Sequence, residues 1–320
     1  MIAGCAGQPV TKAPEPTSQT SAATSTAMIA KAAVPHAATL RVAITLDDLG
    51  GTEASVEPAL SRRISSQLRQ AGAPVAVFVN CKFITSSALT LWQQAGATFG
   101  NHSATHLSVD TAGPDDTWWH DVESCDRQMR GFLGRPVHYF RFPYLRYGQT
   151  AETRETAARK LSSLGYEIAH VTAATSEWLL ADYYASAVDK HDRALSVELA
   201  EFYVEHMLES LQAARQLALD KTGREIAQVT LAHVNRLAGD HLSDALAAFK
   251  ARGWQFVSLQ EALADPVYAQ RDAYAGPCGC SWLARIAPAV KPGDVYVFGD
   301  YEDQIRARFG ARIAAIQRQK

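Results

Sequence analysis

The sequence predicts an α/β fold built on a largely parallel sheet, and three observations predict it. Short apolar runs of strand character alternate with stretches of helical spacing. The runs are apolar without alternation, as strands covered on both faces require. The acids, histidines and arginine that could do chemistry stand just after such runs, at the strand edge where active sites of parallel α/β folds lie.

Folded structure is expected from Leu40. Arg41-Val42-Ala43-Ile44-Thr45-Leu46 reads as a buried strand ending in Asp47 and Asp48. Residues 55–71 put Val56, Leu60, Ile64 and Leu68 on one helical stripe, which Gly72 ends. Residues 74–80 form a second strand and 86–96 a helix, and Thr98-Phe99-Gly100 leads into two histidines. A helix over 117–132 precedes the strand Tyr139-Phe140-Arg141-Phe142, which Pro143 stops. Then come a helix over 154–164, a strand over 167–172, a long helix over 195–219, a strand over 226–232, a helix over 242–252 and a strand over 255–258. A short strand at Tyr296-Val297-Phe298 and a helix over 311–319 close the chain. This periodicity fits a closed barrel and an open doubly wound sheet alike. Gly50-Gly51 follows a strand, but no third glycine arrives at the dinucleotide-binding spacing.

Composition narrows the classes. The 320 residues suffice for one large domain with additions. A net charge of −2 supplies no basic field for nucleic acid or an anionic membrane. No apolar run is long enough to be a transmembrane helix. Residues 1–39 are rich in Ala, Thr, Ser and Pro and cannot bury enough surface to offset their ordering entropy, so they read as a flexible leader. Met1-Ile2-Ala3-Gly4-Cys5 reads either as the tail of a bacterial lipoprotein signal, with Cys5 lipidated, or as chance in an alanine-rich stretch. A coding start upstream of Met1 would supply the charged and apolar portions of such a signal. A lipid anchor and tether would place the protein in the cell envelope or periplasm. Apart from Cys5, the four cysteines Cys81, Cys125, Cys278 and Cys280 are compatible with disulfides. Cys278 and Cys280 are too close for the usual structural zinc spacing, and no second pair accompanies them. The expected organisation is a leader over 1–39, a catalytic domain over 40–265 and a C-terminal extension over 266–320 packed on it.

Four clusters carry chemistry. Asp47 and Asp48 end the first strand, where alternating side chains would send one carboxylate to a metal and the other toward substrate. Taken alone, the pair could equally cap the next helix. His102 and His106 share one face if their segment is helical, and with Asp48 they make a two-nitrogen, one-oxygen set that leaves positions open for water and substrate. Imidazole suits zinc, cobalt or nickel. Arg141-Phe142-Pro143-Tyr144 offers an arginine that can hold a catalytic carboxylate. His233, after Leu231-Ala232, could protonate a leaving amine. Alone, each of these has a bland explanation, but all four follow apolar runs in one order.

That order resembles the polysaccharide deacetylases, the NodB-homology group of carbohydrate esterase family four. The residues that carry the resemblance are Thr45-Leu46-Asp47-Asp48-Leu49, His102 to His106, Arg141 to Tyr144, and Leu231 to His233, within about residues 40–265. The resemblance implies a distorted parallel (β/α) barrel and metal-dependent removal of N-acetyl groups from an amino-sugar glycan. It implies Asp47 as general base, Asp48, His102 and His106 as ligands of a metal that is usually zinc, and Arg141 as the tether of Asp47. It further implies the Tyr144 backbone N–H as oxyanion donor, His233 as general acid and Leu231 in an acetyl pocket. Two departures stand out. Leu49 replaces a glycine, with Gly50 and Gly51 just after it. In the fourth motif Ser176-Glu177-Trp178 is the best match and the expected aspartate is absent; Trp178 could still line the pocket, and Glu177 or Asp182 could partner His233. The glycan could be a chitooligosaccharide, peptidoglycan or an exported polysaccharide. The alternatives are a carbohydrate-binding homologue with weak or no catalysis, motivated by the fourth motif, and a metal hydrolase of a small amide on the same scaffold.

Overall fold

The computed structural model describes residues 39–113, 116–277, 279, 281–289 and 300–318. Cys5 with its surrounding leader, Cys278, Cys280 and the expected strand at Tyr296-Val297-Phe298 lie outside the described residues.

The apolar runs become the strands, and the elements follow in the order β1 (Arg41–Leu49), α1 (Pro58–Ala71), β2 (Val75–Val79), α2 (Ser86–Gln94), β3 (Thr98–Asn101), α3 (Val109–Ala112), α4 (Asp116–Leu133) and β4 (Tyr139–Phe140). After these come α5 (Ala151–Ser163), β5 (Glu167–Ile168), α6 (Glu177–Asp189), α7 (Arg193–Thr222), β6 (Ala227–His233), α8 (Arg236–Ala251), β7 (Gln255–Val257), α9 (Leu259–Leu263), α10 (Trp282–Arg285) and α11 (Asp300–Gln317). Every strand pairing is parallel, in the order β5-β4-β3-β2-β1-β6, with β7 on β1. The two ends of this sheet meet. Just after β5, Ala173 bridges Thr230 of β6, and the amides of Thr172 and Ala173 donate to the Val229 carbonyl at 3.0 Å. The fold is thus the barrel-like α/β arrangement, with its seam closed by one bridge and its helices outside. An open doubly wound sheet is excluded.

β1 explains the central position of the first acid pair. Val42, Ala43, Ile44 and Leu46 are buried on both faces, which only a strand flanked by two neighbours and covered by helices achieves. Its first residues pair with β7 and its later ones with β2, while β6 runs along its other side as far as Asp47 opposite His233. That register sets two site residues on adjacent strand ends.

The strands at residues 139–142 and 167–172 are shorter than expected, because the chain leaves the sheet early to build the site and the seam. The helix α6 was not expected at all. Glu177-Trp178-Leu179-Leu180-Ala181 presents apolar groups on several sides, and the helix is packed against α7, α8, α11 and β6, so no polar stripe betrays its period. The terminal helix begins earlier than residue 311, at Asp300. Beyond α9 the chain clasps back on the sheet. Asp272 pairs with Ile286, the Arg285 guanidinium binds Asp272 at 2.8 Å, and Trp282 lies flat on His170 with ring centroids 3.6 Å apart.

Candidate active site

The C-terminal ends of β1, β3, β4 and β6 open into a cleft of about 590 Å³ lined by Asp47, Asp48, His102, His106, Tyr144, Trp178, Leu231 and His233. Nearly all the sequence-derived candidates therefore meet in one place. Arg141 stands just behind them, fully buried.

The way the acid pair arrives differs from strand alternation. Asp48 adopts φ 65°, and the β1–β2 register slips between Leu46 and Leu49. The irregularity turns Asp48 to the same side as Asp47. Asp47 Oδ2 lies 3.6 Å and Asp48 Oδ1 3.7 Å from one and the same atom, His102 Nε2. Leu49 remains a buried strand residue. Gly50 takes the left-handed turn (φ 89°), where a Cβ would collide with the Asn80 carbonyl. The glycines displaced by one position thus still make the turn.

The two histidines are not on a helix either. Residues 102–106 form a loop in which Ser103 (φ 65°) and His106 (φ 61°) are left-handed, folding the chain back so that both rings face Asp48. The loop is tied down. Asn101 Nδ2 donates to the Val122 carbonyl at 3.1 Å, and the Thr105 amide and hydroxyl donate to the Asp121 carboxylate at 3.1 and 2.9 Å, both on α4. Of the six non-glycine residues with positive φ among the described ones, Asp48, His106, Tyr144 and Leu145 line this cleft and Ser103 lies in the loop that carries its histidines. Such conformations cost about 1–3 kcal/mol each and concentrate where function requires them.

The donors fit a divalent cation. Asp48 Oδ1 is buried and has no hydrogen-bond partner, and one ligand atom from each of Asp48, His102 and His106 lies within 4.8 Å of the others. His102 Nδ1 sits 2.8 Å from the Arg141 carbonyl, an acceptor only, so Nδ1 carries the proton and Nε2 presents a lone pair inward. Burial, reinforced by the neighbouring His102, lowers the His106 pKa to about 4 despite the pull of Asp48 and Asp47, so that ring is neutral at pH 7. Its 3.6 Å approach to Asp48 is therefore a pair of lone-pair donors facing one point, not an ion pair. Burial would raise the Asp48 carboxyl, but the surrounding imidazoles of His233, His102 and His106 hold it below its ordinary value.

Asp47 is held from behind. Arg141 Nη1 donates to Asp47 Oδ1 at 2.8 Å and to Thr45 Oγ1 at 2.7 Å, Nε donates to the Ala169 carbonyl at 3.2 Å, and the guanidinium lies 3.9 Å from the Phe78 ring centre. One Asp47 oxygen is thereby fixed, and the other faces the histidines.

On the other side His233 Nδ1 contacts Glu177 Oε2 at 2.8 Å, and Asn235 Nδ2 holds Glu177 Oε1 at 2.7 Å. Glu177 is fully buried, whereas Asp182 lies on the exposed side of α6. The open choice between those two acids falls to Glu177. Burial works against a charged His233, but the hydrogen bond and charge of Glu177, helped by Asp48 and Asp47, raise its pKa to about 9. Tyr144 is left-handed (φ 58°, ψ 15°), its ring centre lies 4.3 Å from that of His106 at a tilt of 57°, and its surface is 57% exposed, so it forms part of the cleft wall.

Sequence reasoning missed Thr45, Asn235, Arg146, Gly279 and Glu302 as neighbours of this site. Asn235 escaped notice because the helix was expected only from residue 242; α8 begins at Arg236, and Asn235 caps it by accepting from the Ala238 amide. Glu302 had no signal, because only the fold brings α11 to the cleft.

The family model for polysaccharide deacetylase matches residues 37–169, which span the Asp47, His102 and Arg141 clusters. The resemblance to polysaccharide deacetylases therefore holds. Among solved structures, a carbohydrate esterase family four pseudoenzyme from Bacillus anthracis is similar at 14% identity, with a TM-score of 0.52 and cover of 72% of this chain and 67% of that one. A mutant of that pseudoenzyme with restored enzymatic activity is similar at 15% identity and a TM-score of 0.51, covering 72% and 70%. A polysaccharide deacetylase from Bacillus cereus is similar at 15% identity and a TM-score of 0.50, covering 69% of this chain and 91% of that one. At these identities the likeness is one of fold. Among curated protein sequences none matches.

Proposed function

Taking its fold and residues 37–169 as those of the polysaccharide deacetylases, we propose that this protein is a working, metal-dependent hydrolase that removes N-acetyl groups from an amino-sugar glycan. The observation that carries the reading is the arrangement of roles around one cleft. A three-donor set on Asp48, His102 and His106 lies beside an arginine-fixed carboxylate, Asp47, and a histidine held protonated, His233. A protein that only binds sugar needs no such base and acid. A divalent cation, most simply zinc, with cobalt or nickel also suited, would polarise the acetamide carbonyl and acidify water when held by those three residues.

The remaining chemistry belongs to the chain. Asp47, with one oxygen anchored on Arg141, takes the proton of the attacking water through its free oxygen. The Tyr144 backbone N–H supports the carbonyl oxygen as it gains charge. His233, charged at neutral pH through Glu177, gives its proton to the departing amine. Trp178 and Leu231 line the cleft and shape the space for the acetyl group and the sugar ring. The altered fourth motif does not favour an inactive homologue, because Glu177 already supplies the carboxylate that His233 needs. The Cys81–Cys125 disulfide supports an oxidising location such as the periplasm or cell envelope, consistent with a lipidated Cys5.

The test is acetate release from chitooligosaccharides and peptidoglycan fragments by metal-stripped protein, with and without added zinc. Zinc-dependent release is expected. Asp47→Ala should retain the metal and lose at least about a hundredfold in kcat, whereas His102→Ala should lose the metal. No acetate from either substrate with metal bound would overturn the reading in favour of a small-amide hydrolase or a binding protein.

A further inference from the structure

Among the described residues that line the cleft, one cation is used by nothing in the mechanism. Arg146 follows the Pro143–Leu145 turn, lines the cleft beside Tyr144 and is half-buried. Its guanidinium carbon lies 5.9 Å from the Tyr144 ring centre. Among the described residues its side chain makes no hydrogen bond and no ion pair. The other arginines of this region are engaged, Arg141 with Asp47 and Arg285 with Asp272. Asp110 feels the Arg146 charge without forming an ion pair with it. Burial raises that carboxyl, and Arg146 and Arg285 draw it down. Glu302, an acid that also lines the cleft, is engaged with Arg306 at 3.4 Å. A guanidinium partly withdrawn from water, with no hydrogen-bonded acceptor among the described residues, has its donor fork unmatched, and that planar fork is matched by a carboxylate.

We propose that Arg146 is a specificity-determining residue that selects acetamido sugars carrying a carboxylate, either on the reacting ring or on its neighbour. This rests on the deacetylase reading and adds the chemistry of the substrate to it. Arg146 and Tyr144 line the same cleft as Asp48 and His102, so a sugar seated with its acetamide at those donors would share the cleft with the Arg146 guanidinium. A neutral glycan leaves that guanidinium unmatched, whereas a carboxylate makes a charge-assisted, potentially bidentate pair with it.

The experiment compares four substrates with the zinc-loaded full chain: neutral chitooligosaccharides, peptidoglycan glycan fragments with free lactyl carboxylates, the same fragments with those carboxylates blocked as methyl amides, and oligomers alternating N-acetylglucosamine with glucuronic acid. Free lactyl or uronic substrates should exceed the blocked and neutral ones in kcat/KM by about tenfold or more. The better of the two acids names the source of the carboxylate. Arg146→Gln should bring the free-to-blocked ratio close to one, and Arg146→Lys should keep part of it. Equal rates on free and blocked fragments would overturn the proposal. So would a uniform loss across all four substrates in Arg146→Gln, which would mean that Arg146 merely braces Tyr144. Calorimetric binding of free and blocked fragments to zinc-loaded Asp47→Ala reads the same preference without turnover. A binding preference with no acetate from wild type would therefore keep the inference and sink the deacetylase reading alone. Equal binding of both fragments would sink the inference.

Discussion

At the residue scale the site depends on single side chains whose charge state is set by one neighbour. Glu177 is fully buried and gives both oxygens away, one to His233 and one to Asn235. Its charge and hydrogen bond keep the His233 pKa near 9 against the burial that would lower it. The acid form of His233 is therefore present below that pH and lost as pH rises through it. Glu177→Gln keeps the shape and removes the charge. The alkaline limb of the pH–rate profile should then move down by about one unit or more, with zinc content unchanged; an unmoved limb would assign the acid to another group. The sequence displayed the residue types at this scale, including Glu177 as one of two candidates, but not the geometry that unites them. Strand alternation would have separated Asp47 and Asp48, and helical spacing would have aligned His102 and His106. The chain instead uses left-handed backbone at Asp48, Ser103 and His106, which is an effect of tertiary contacts and leaves no periodic trace.

At the element scale the long amphipathic helices and the apolar strands β1, β2 and β6 were legible because burial imposes a period on them. α6 was not, since a helix covered on several sides has no polar stripe to reveal it. The closing segment was the least legible, because its role is set by a long-range clasp. Arg285 is fully buried and binds Asp272 through Nε and Nη2 at 3.0 and 2.8 Å, and its guanidinium lies 4.3 Å from the Tyr147 ring centre. Ser281 Oγ adds a hydrogen bond to the Thr172 carbonyl at 2.7 Å, next to the barrel seam. Between these anchors Gly279 lies so close to the Tyr144 carbonyl that a Cβ would collide with it. The clasp therefore backs the turn that carries Tyr144. Removing the Asp272 carboxylate takes two hydrogen bonds from the buried Arg285 guanidinium while its Tyr147 and Tyr274 ring contacts stay, a loss of about 3 kcal/mol. Asp272→Ala should accordingly lower unfolding free energy by about that amount in urea melts, while a change under 1 kcal/mol would mean that the pair is dispensable.

At the scale of the whole molecule, the metal site and the stability of the fold are joined through one covalent link that the cysteine count allowed but did not assign. Cys81 and Cys125, both buried, form a disulfide with Cα atoms 5.3 Å apart, 44 positions apart in sequence. Cys81 follows β2, and its amide donates to the Ser103 carbonyl at 3.4 Å inside the histidine loop. Cys125 lies on α4, the helix whose Asp121 and Val122 hold that same loop. The crosslink thus joins the strand end on one side of the His102–His106 loop to the helix on the other. By chain entropy alone a loop of this length contributes roughly 4 kcal/mol. For a domain of this size that corresponds to a Tm lowered by roughly 5 °C or more when the bond is removed. Because the anchored loop carries two of the three metal donors, its loosening should also weaken metal binding, since the ordering that the bond supplied must then come from the metal. The measurement is thermal unfolding of apo and zinc-loaded protein, with and without reductant, alongside the Cys81→Ala/Cys125→Ala double variant and a zinc titration of each. Reductant should lower Tm and zinc affinity in the wild type and change neither in the double variant, which should start from the lower values. A double variant with wild-type zinc affinity but a lower Tm would separate the two effects, leaving the crosslink as a brace of the fold with no hold on the histidine loop.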